Sequence, residues 1–210
     1  MNPLVSRRSA LPAMAAGVTS AVLPTAAQSA GLGTRTGAAR LSEVVEGVLT
    51  PAGKLQLVNG INRVRQMVLQ GTILPRGKDI KMVKWDNALK VVKTHEMKHQ
   101  PASDSRWNRI GQTLYVAWSS AAGPQEEHTV GGAVTAWAAE RSNFTYPTGS
   151  ANGEPVGSYT QMVWAQSEWV GAAYSYYFDR YHRQAPYAHL FAVNFGPGGN
   201  DEEQAPYPFA

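Results

Sequence analysis

The sequence predicts an α+β domain. Helical periodicity dominates its first half, strand-like aliphatic and aromatic runs lie toward its end, and the joints between them are rich in Gly and Pro. Helices first and strands later argue for layered α+β packing rather than a βαβ repeat. A chain of 210 residues allows one domain of ordinary size, or at most two small ones.

Taken in order, residues 1–30 read as a signal or targeting peptide. Arg7 and Arg8 precede a mildly apolar run from Ala10 to Leu23, and small residues follow up to Ala30. A basic end, a short apolar stretch and a small-residue cleavage site make up a secretory signal. Cleavage is expected between Ala27 and Gly31. The twin arginines also fit a twin-arginine export signal. The start has no acid before Glu43, which fits an organelle transit peptide as well. Pro12 and Pro24 disfavour a mature helix. The run is too short to span a bilayer, and no other apolar stretch approaches the length needed, so no integral membrane segment is expected.

Residues 31–53 read as a linker and 54–210 as the folded domain. Residues 54–70 read as an amphipathic helix, with Leu55, Val58, Ile61, Val64, Arg65 and Val68 at three- and four-residue steps. Gly71 stands where a helix stop is expected. Residues 82–98 read as a second helix with Trp85, Leu89 and Val92 inward, ended by Pro101. Residues 129–142 read as a third, carrying Val130, Val134 and Trp137. Residues 158–166 fit either helix or strand. Residues 171–178 and 190–195 read as strands, and the tail after them as loop.

Composition excludes several classes. Hydrophobic residues make up 43% and charged residues 16%, a pattern that does not support disorder. Six Trp, nine Tyr and five Phe supply a core. A net charge of +4 is too mild for dedicated nucleic-acid binding. With no cysteine, the chain has no disulfide, thiolate nucleophile or Cys-ligated metal centre. No phosphate-cradling glycine motif, nucleophile elbow or HExxH occurs. His95 and His99 lie one helical turn apart, which is a weak metal signal without a third ligand. Asn143-Phe144-Thr145 is the only N-glycosylation sequon.

A more specific pattern lies in Gly157 to Ala165, GSYTQMVWA, and in Val193 to Asn200, VNFGPGGN. The first resembles the G-H-Y-T-Q-M-V-W signature of the CAP superfamily, with Ser158 in the His place. The second resembles its C-N-Y-G-P-G-G-N signature, with Val193 in the Cys place and Phe195 in the Tyr place. This superfamily comprises cysteine-rich secretory proteins, antigen 5 and pathogenesis-related proteins. INRVR at Ile61, VKWDNAL at Val83, GQTLYVAWSS at Gly111 and AVTAWAAERSNF at Ala133 are similar to further landmarks, in the family's order. The third of these corresponds to G-E-N-L followed by an aromatic loop.

The resemblance implies a three-layer α-β-α sandwich around an antiparallel sheet (the SCP domain). It also implies a cleft with two His and two Glu that can hold a divalent ion. Carried over by position, the set becomes His99, Gln112, Glu140 and Ser158, so one carboxylate and one imidazole are replaced. No cofactor is expected, and the family metal site reads as lost. His95, Glu126, Glu127 and His128 are replacement candidates. The four positions otherwise suggest a hydrogen-bonded polar cluster. Ala172 and Val193 stand where half-cystines commonly sit. The implied function is that of an allergen-like, secreted, non-catalytic binding protein. Its expected partner is an extracellular protein, or a lipid or sterol received on an apolar surface around Tyr115 and Trp118. The alternative is a metal-dependent, protease-like hydrolase. Periplasmic or organellar placement is the alternative to secretion.

Overall fold

The protein is described by a computed structural model at residues 45–89, 106, 109–201 and 203–210. The first helix, α1 (Pro51–Gln70), begins where Thr50 accepts a hydrogen bond from the Gly53 amide at 3.1 Å. Pro51 follows at a first-turn position where a missing N–H costs nothing. Gly71 ends it with φ of 78°, a left-handed cap, and returns its N–H to the Val68 carbonyl. The inward stripe is Leu57, Ile61, Val64, Arg65 and Val68. Leu55, expected inward, is 61% exposed. It lies about 200° around the helix from Leu57, so both cannot face the core.

Ahead of α1, strand β1 (Val45–Val48) pairs antiparallel with Ala173 to Tyr176 of β6 (Trp169–Phe178). Leu49 is buried beside it. The first strand of the sheet therefore falls inside the stretch read as linker.

The expected helix over 82–98 is not what the described residues form. Strand β2 (Lys84–Trp85) pairs parallel with Trp169 and Val170, and a 3-10 turn follows at Asn87–Leu89. Asp86 makes the switch. Its carboxylate accepts from the Ala88 amide at 2.8 Å, and its carbonyl accepts from the Leu89 amide. An Asp so placed opens a helical turn rather than sitting inside one. Residues 90–98, with His95, lie outside the described residues, as does His99.

The stretch read by resemblance as a loop after Gln112 is strand β3 (Gly111–Ser119). It pairs antiparallel along its whole length with β7 (Tyr187–Gly196). Helix α2 (Glu126–Ala139) starts three residues before the expected 129 and buries Val130, Ala133 and Trp137. A 3-10 turn, Glu140–Asn143, continues it. A short hairpin joins β4 (Phe144–Thr145) to β5 (Gly149–Ser150). Helix α3 (Gly157–Met162) decides the ambiguous segment in favour of helix.

The sheet runs β1-β6-β7-β3, antiparallel throughout, with β2 added parallel on β6. Alternate residues divide its faces. Val170, Ala172, Phe191, Val193 and Phe195 join one buried cluster with the inward residues of α1 and α2. Trp137 stacks on Phe191 at 6.2 Å and donates its indole N–H to the Leu114 carbonyl. On the opposite face, Asn194 donates to the Leu89 carbonyl at 3.0 Å. Gly171 lies there too: a Cβ on it would come within 2.6 Å of Asp86 and Leu89. Only glycine permits that approach. The architecture is the expected α-β-α sandwich around an antiparallel sheet.

Candidate functional site

The cleft positions sit where helix ends meet the sheet. Glu140 follows the last turn of α2. Its Oε2 accepts from the backbone amides of Ser158 at 2.8 Å and Tyr159 at 3.0 Å. These are orphan donors at the start of α3, which has no side-chain cap of its own. Glu140 thus ties α2 to α3, and the Ser158 side chain is buried beside that junction. Gln112 turns elsewhere. It lies opposite Asn194 in the sheet register and donates to that side chain at 2.9 Å. Asn194 in turn holds Leu89.

The structure therefore brings Glu140 and Ser158 together and joins Gln112 to Asn194, with no hydrogen bond between the two pairs. His99 lies outside the described residues. Of the expected four-membered polar cluster, the described residues show only the Glu140 carboxylate on the Ser158 backbone amide, while Gln112 bonds to Asn194 outside the set.

The family's divalent ion can be tested against these donors. The three described positions offer one free carboxylate oxygen, one engaged amide and one hydroxyl, a set that does not fit a closed metal site. Among the described residues no group of three or more His, Asp or Glu converges. The replacement candidates Glu126, Glu127 and His128 stand at the opposite end of α2, about 20 Å from Glu140 at 1.5 Å per residue. Glu126 instead accepts from the Thr50 amide and hydroxyl, which fastens the start of α1 to α2.

The landmark residues bind each other. Asn200, at φ 60°, accepts from Thr160 at 2.7 Å and donates to the Gly157 carbonyl at 2.8 Å. Gln161 accepts from the Gly199 amide and donates to Ser167. Ser167 donates to the Pro197 carbonyl. Asn62 exchanges two hydrogen bonds with the Val83 backbone. Arg65, fully buried, donates to the carbonyls of Met162, Lys81 and Ser167. Burial lowers its pKa to about 9, which leaves it charged at neutral pH. Four stretches distant in sequence are thus stapled into one frame around α3.

Sequence reading did not single out several polar residues in this region. Asn194, Asn200 and Gln161 lie inside the quoted signatures, so their positions were legible but their partners were not. His189 is buried against Tyr176, with ring centroids 5.1 Å apart, and its Nε2 has no hydrogen-bond partner. It shares a small recess with Leu49, Glu126, Thr129 and Tyr174. No sequence signal marks it. Of the aromatic pair proposed as a surface, Tyr115 packs against the core cluster, and Trp118 donates to Asp179 and stacks on His182. Asn143 is half-buried, and its side-chain oxygen accepts from Asn152 at 3.0 Å.

Comparison with known proteins bears on this frame. The family profile described as "CAP: Cysteine-rich secretory protein family" matches residues 58–195. Venom allergen 5.01 of Dolichovespula maculata is 28% identical over 174 residues, covering 76% of this chain and 73% of that protein. Salivary antigen-5 of Triatoma infestans is 34% identical over 128 residues, covering 57% of this chain and half of that protein. Among solved structures, venom allergen-like protein 4 of Schistosoma mansoni superposes with a TM-score of 0.54 at 23% identity, over 77% of this chain and 97% of that one. NaASP2, determined with Zn2+, superposes with a TM-score of 0.57 at 18% identity, over 77% and 87%. These structural likenesses establish the fold alone.

Proposed function

We propose, from the premise that this chain belongs to the cysteine-rich secretory protein family, that it is an exported, non-catalytic protein that acts by binding through its surface. Its partner class is an extracellular protein, or a lipid or sterol. The observation that carries this reading is the use of the cleft residues as structural fasteners. Glu140 holds the start of α3 and Gln112 holds Asn194, which leaves the described cleft without a base set beside a nucleophile. The names of its relatives, a venom allergen and a salivary antigen, support export. No described helix is long and apolar enough to cross a membrane.

The test is a hydrolysis assay on purified mature protein, using peptide and ester substrates with and without zinc, run beside lipid- and sterol-binding measurements. The reading expects no turnover in any condition. Zinc-dependent turnover abolished by Glu140→Gln would overturn it in favour of a hydrolase.

A further inference from the structure

We propose that the tip of the β6–β7 hairpin, residues 179–186, docks the protein on an anionic lipid surface. The proposal deepens the surface-binding reading above and rests on it.

The tip is anchored by strand pairing and by hydrogen bonds within the turn. β6 and β7 pair without interruption from Trp169 opposite Gly196 to Phe178 opposite Tyr187. Asp179 then closes the turn. Its carboxylate accepts from the Tyr181 amide at 3.0 Å and from the Trp118 indole at 3.1 Å, and it meets His182 Nδ1 at 2.6 Å. Burial pushes this carboxyl up, but those three donors outweigh it and hold the group below its ordinary range.

The single acid of the tip is thereby engaged within the turn. From Arg180 to Asn200 the chain carries no other acid. Arg180 and Arg183 are both exposed, and among the described residues neither has a carboxylate partner. The Arg180 guanidinium lies over the Tyr181 ring at 5.0 Å and donates to its hydroxyl. Tyr181 is 79% exposed, the highest value among the exposed large hydrophobic side chains, and Phe178 at the strand end is 41% exposed.

Exposed guanidinium groups without a described carboxylate partner, beside a projecting aromatic ring, fit the boundary of a lipid bilayer. The ring settles at headgroup depth, and the arginines meet phosphates. A sulfated glycan fits less well. Two cations make a short row for a polyanion, and the apolar area of Tyr181 and Phe178 gains most at a hydrocarbon boundary.

The test is co-sedimentation of the full chain with vesicles of phosphatidylcholine alone, or with about 30% phosphatidylglycerol. Binding is expected to the anionic vesicles only, and to weaken roughly tenfold between low and high salt. Replacing both arginines, Arg180→Gln with Arg183→Gln, should weaken it at least roughly tenfold. Tyr181→Ser should also weaken it, with an unchanged melting temperature in every variant, because Asp179 still closes the turn. Equal binding to neutral vesicles, or undiminished binding by both variants, overturns the proposal. So does retention on heparin without vesicle binding, which would make the tip a glycan reader. None of these outcomes creates turnover, so failure here is separate from failure of the non-catalytic reading.

Discussion

Glu140 Oε2 sits 2.8 Å from the backbone amide of Ser158 and accepts its hydrogen bond. The positions that the resemblance assigns to the family's second acid and second histidine therefore adjoin in space, and the contact runs through the backbone of residue 158 rather than its buried side chain. The other carboxylate oxygen of Glu140 takes neither amide.

That relationship leads to a gain-of-function test. Ser158→His combined with Gln112→Glu supplies an imidazole and a carboxylate in place of a hydroxyl and an amide, both better zinc ligands. Calorimetric titration should show zinc affinity at least roughly a hundredfold above wild type, about 3 kcal/mol. Each single change should give much less. A folded double variant with unchanged affinity would show that these positions do not share a cleft.

Arg65 carries a larger structural load. One buried guanidinium satisfies three carbonyls from three segments. Arg65→Met fills the volume but leaves those acceptors without a donor. Hydrogen bonds from charged groups and the penalty for unsatisfied buried acceptors together predict a loss of about 3–5 kcal/mol. Urea unfolding checks this, and a loss under about 1 kcal/mol would contradict the assigned role.

His189 predicts a pH dependence. Burial lowers its pKa, and His128 lowers it further. The charged and titratable groups around it are Glu126 and His128 on α2 and Tyr174 and Tyr176 on β6. A base with a depressed folded pKa binds its proton more readily when unfolded. Stability is then full above the unfolded value, near pH 6.5, and is lost as pH falls below it. The urea midpoint of wild type should drop between about pH 7.5 and 5 more than that of His189→Leu. Parallel pH profiles for the two proteins would remove His189 as the source.

Ala172 and Val193 predict a disulfide. They are opposed partners on β6 and β7, both fully buried, at the positions where the family resemblance places half-cystines. Opposed side chains across antiparallel strands lie about 4.5–5.5 Å apart at Cβ, close to disulfide reach. Ala172→Cys with Val193→Cys should oxidise spontaneously and raise stability by about 2–4 kcal/mol. Persistent free thiols under oxidising conditions would show that the pair packs too far apart.

Local signals in the sequence determined much of this protein. The stripe through Ile61, Val64, Arg65 and Val68 marks α1, the pattern around Trp137 marks α2, and the β-rich runs mark the cores of β6 and β7. In each, side-chain period and backbone period coincide, so the element is visible without its neighbours. The fold class and family followed from these elements and the ordered landmarks. Tertiary structure decided the rest. Strand β3 exists because β7 offers it a ladder, and its run from Leu114 to Trp118 is apolar on both faces, which leaves no alternation to read. Lys84 and Trp85 join the edge of β6 although their surroundings look helical, because Asp86 opens the next turn only after them. The cleft divides in the same way. Residue types at 112, 140 and 158 were legible, but the pairing of Gln112 with Asn194 and of Glu140 with the α3 amides depends on contacts up to 82 residues apart. Long-range hydrogen bonds satisfy whichever donors folding brings together, and no local period encodes that choice.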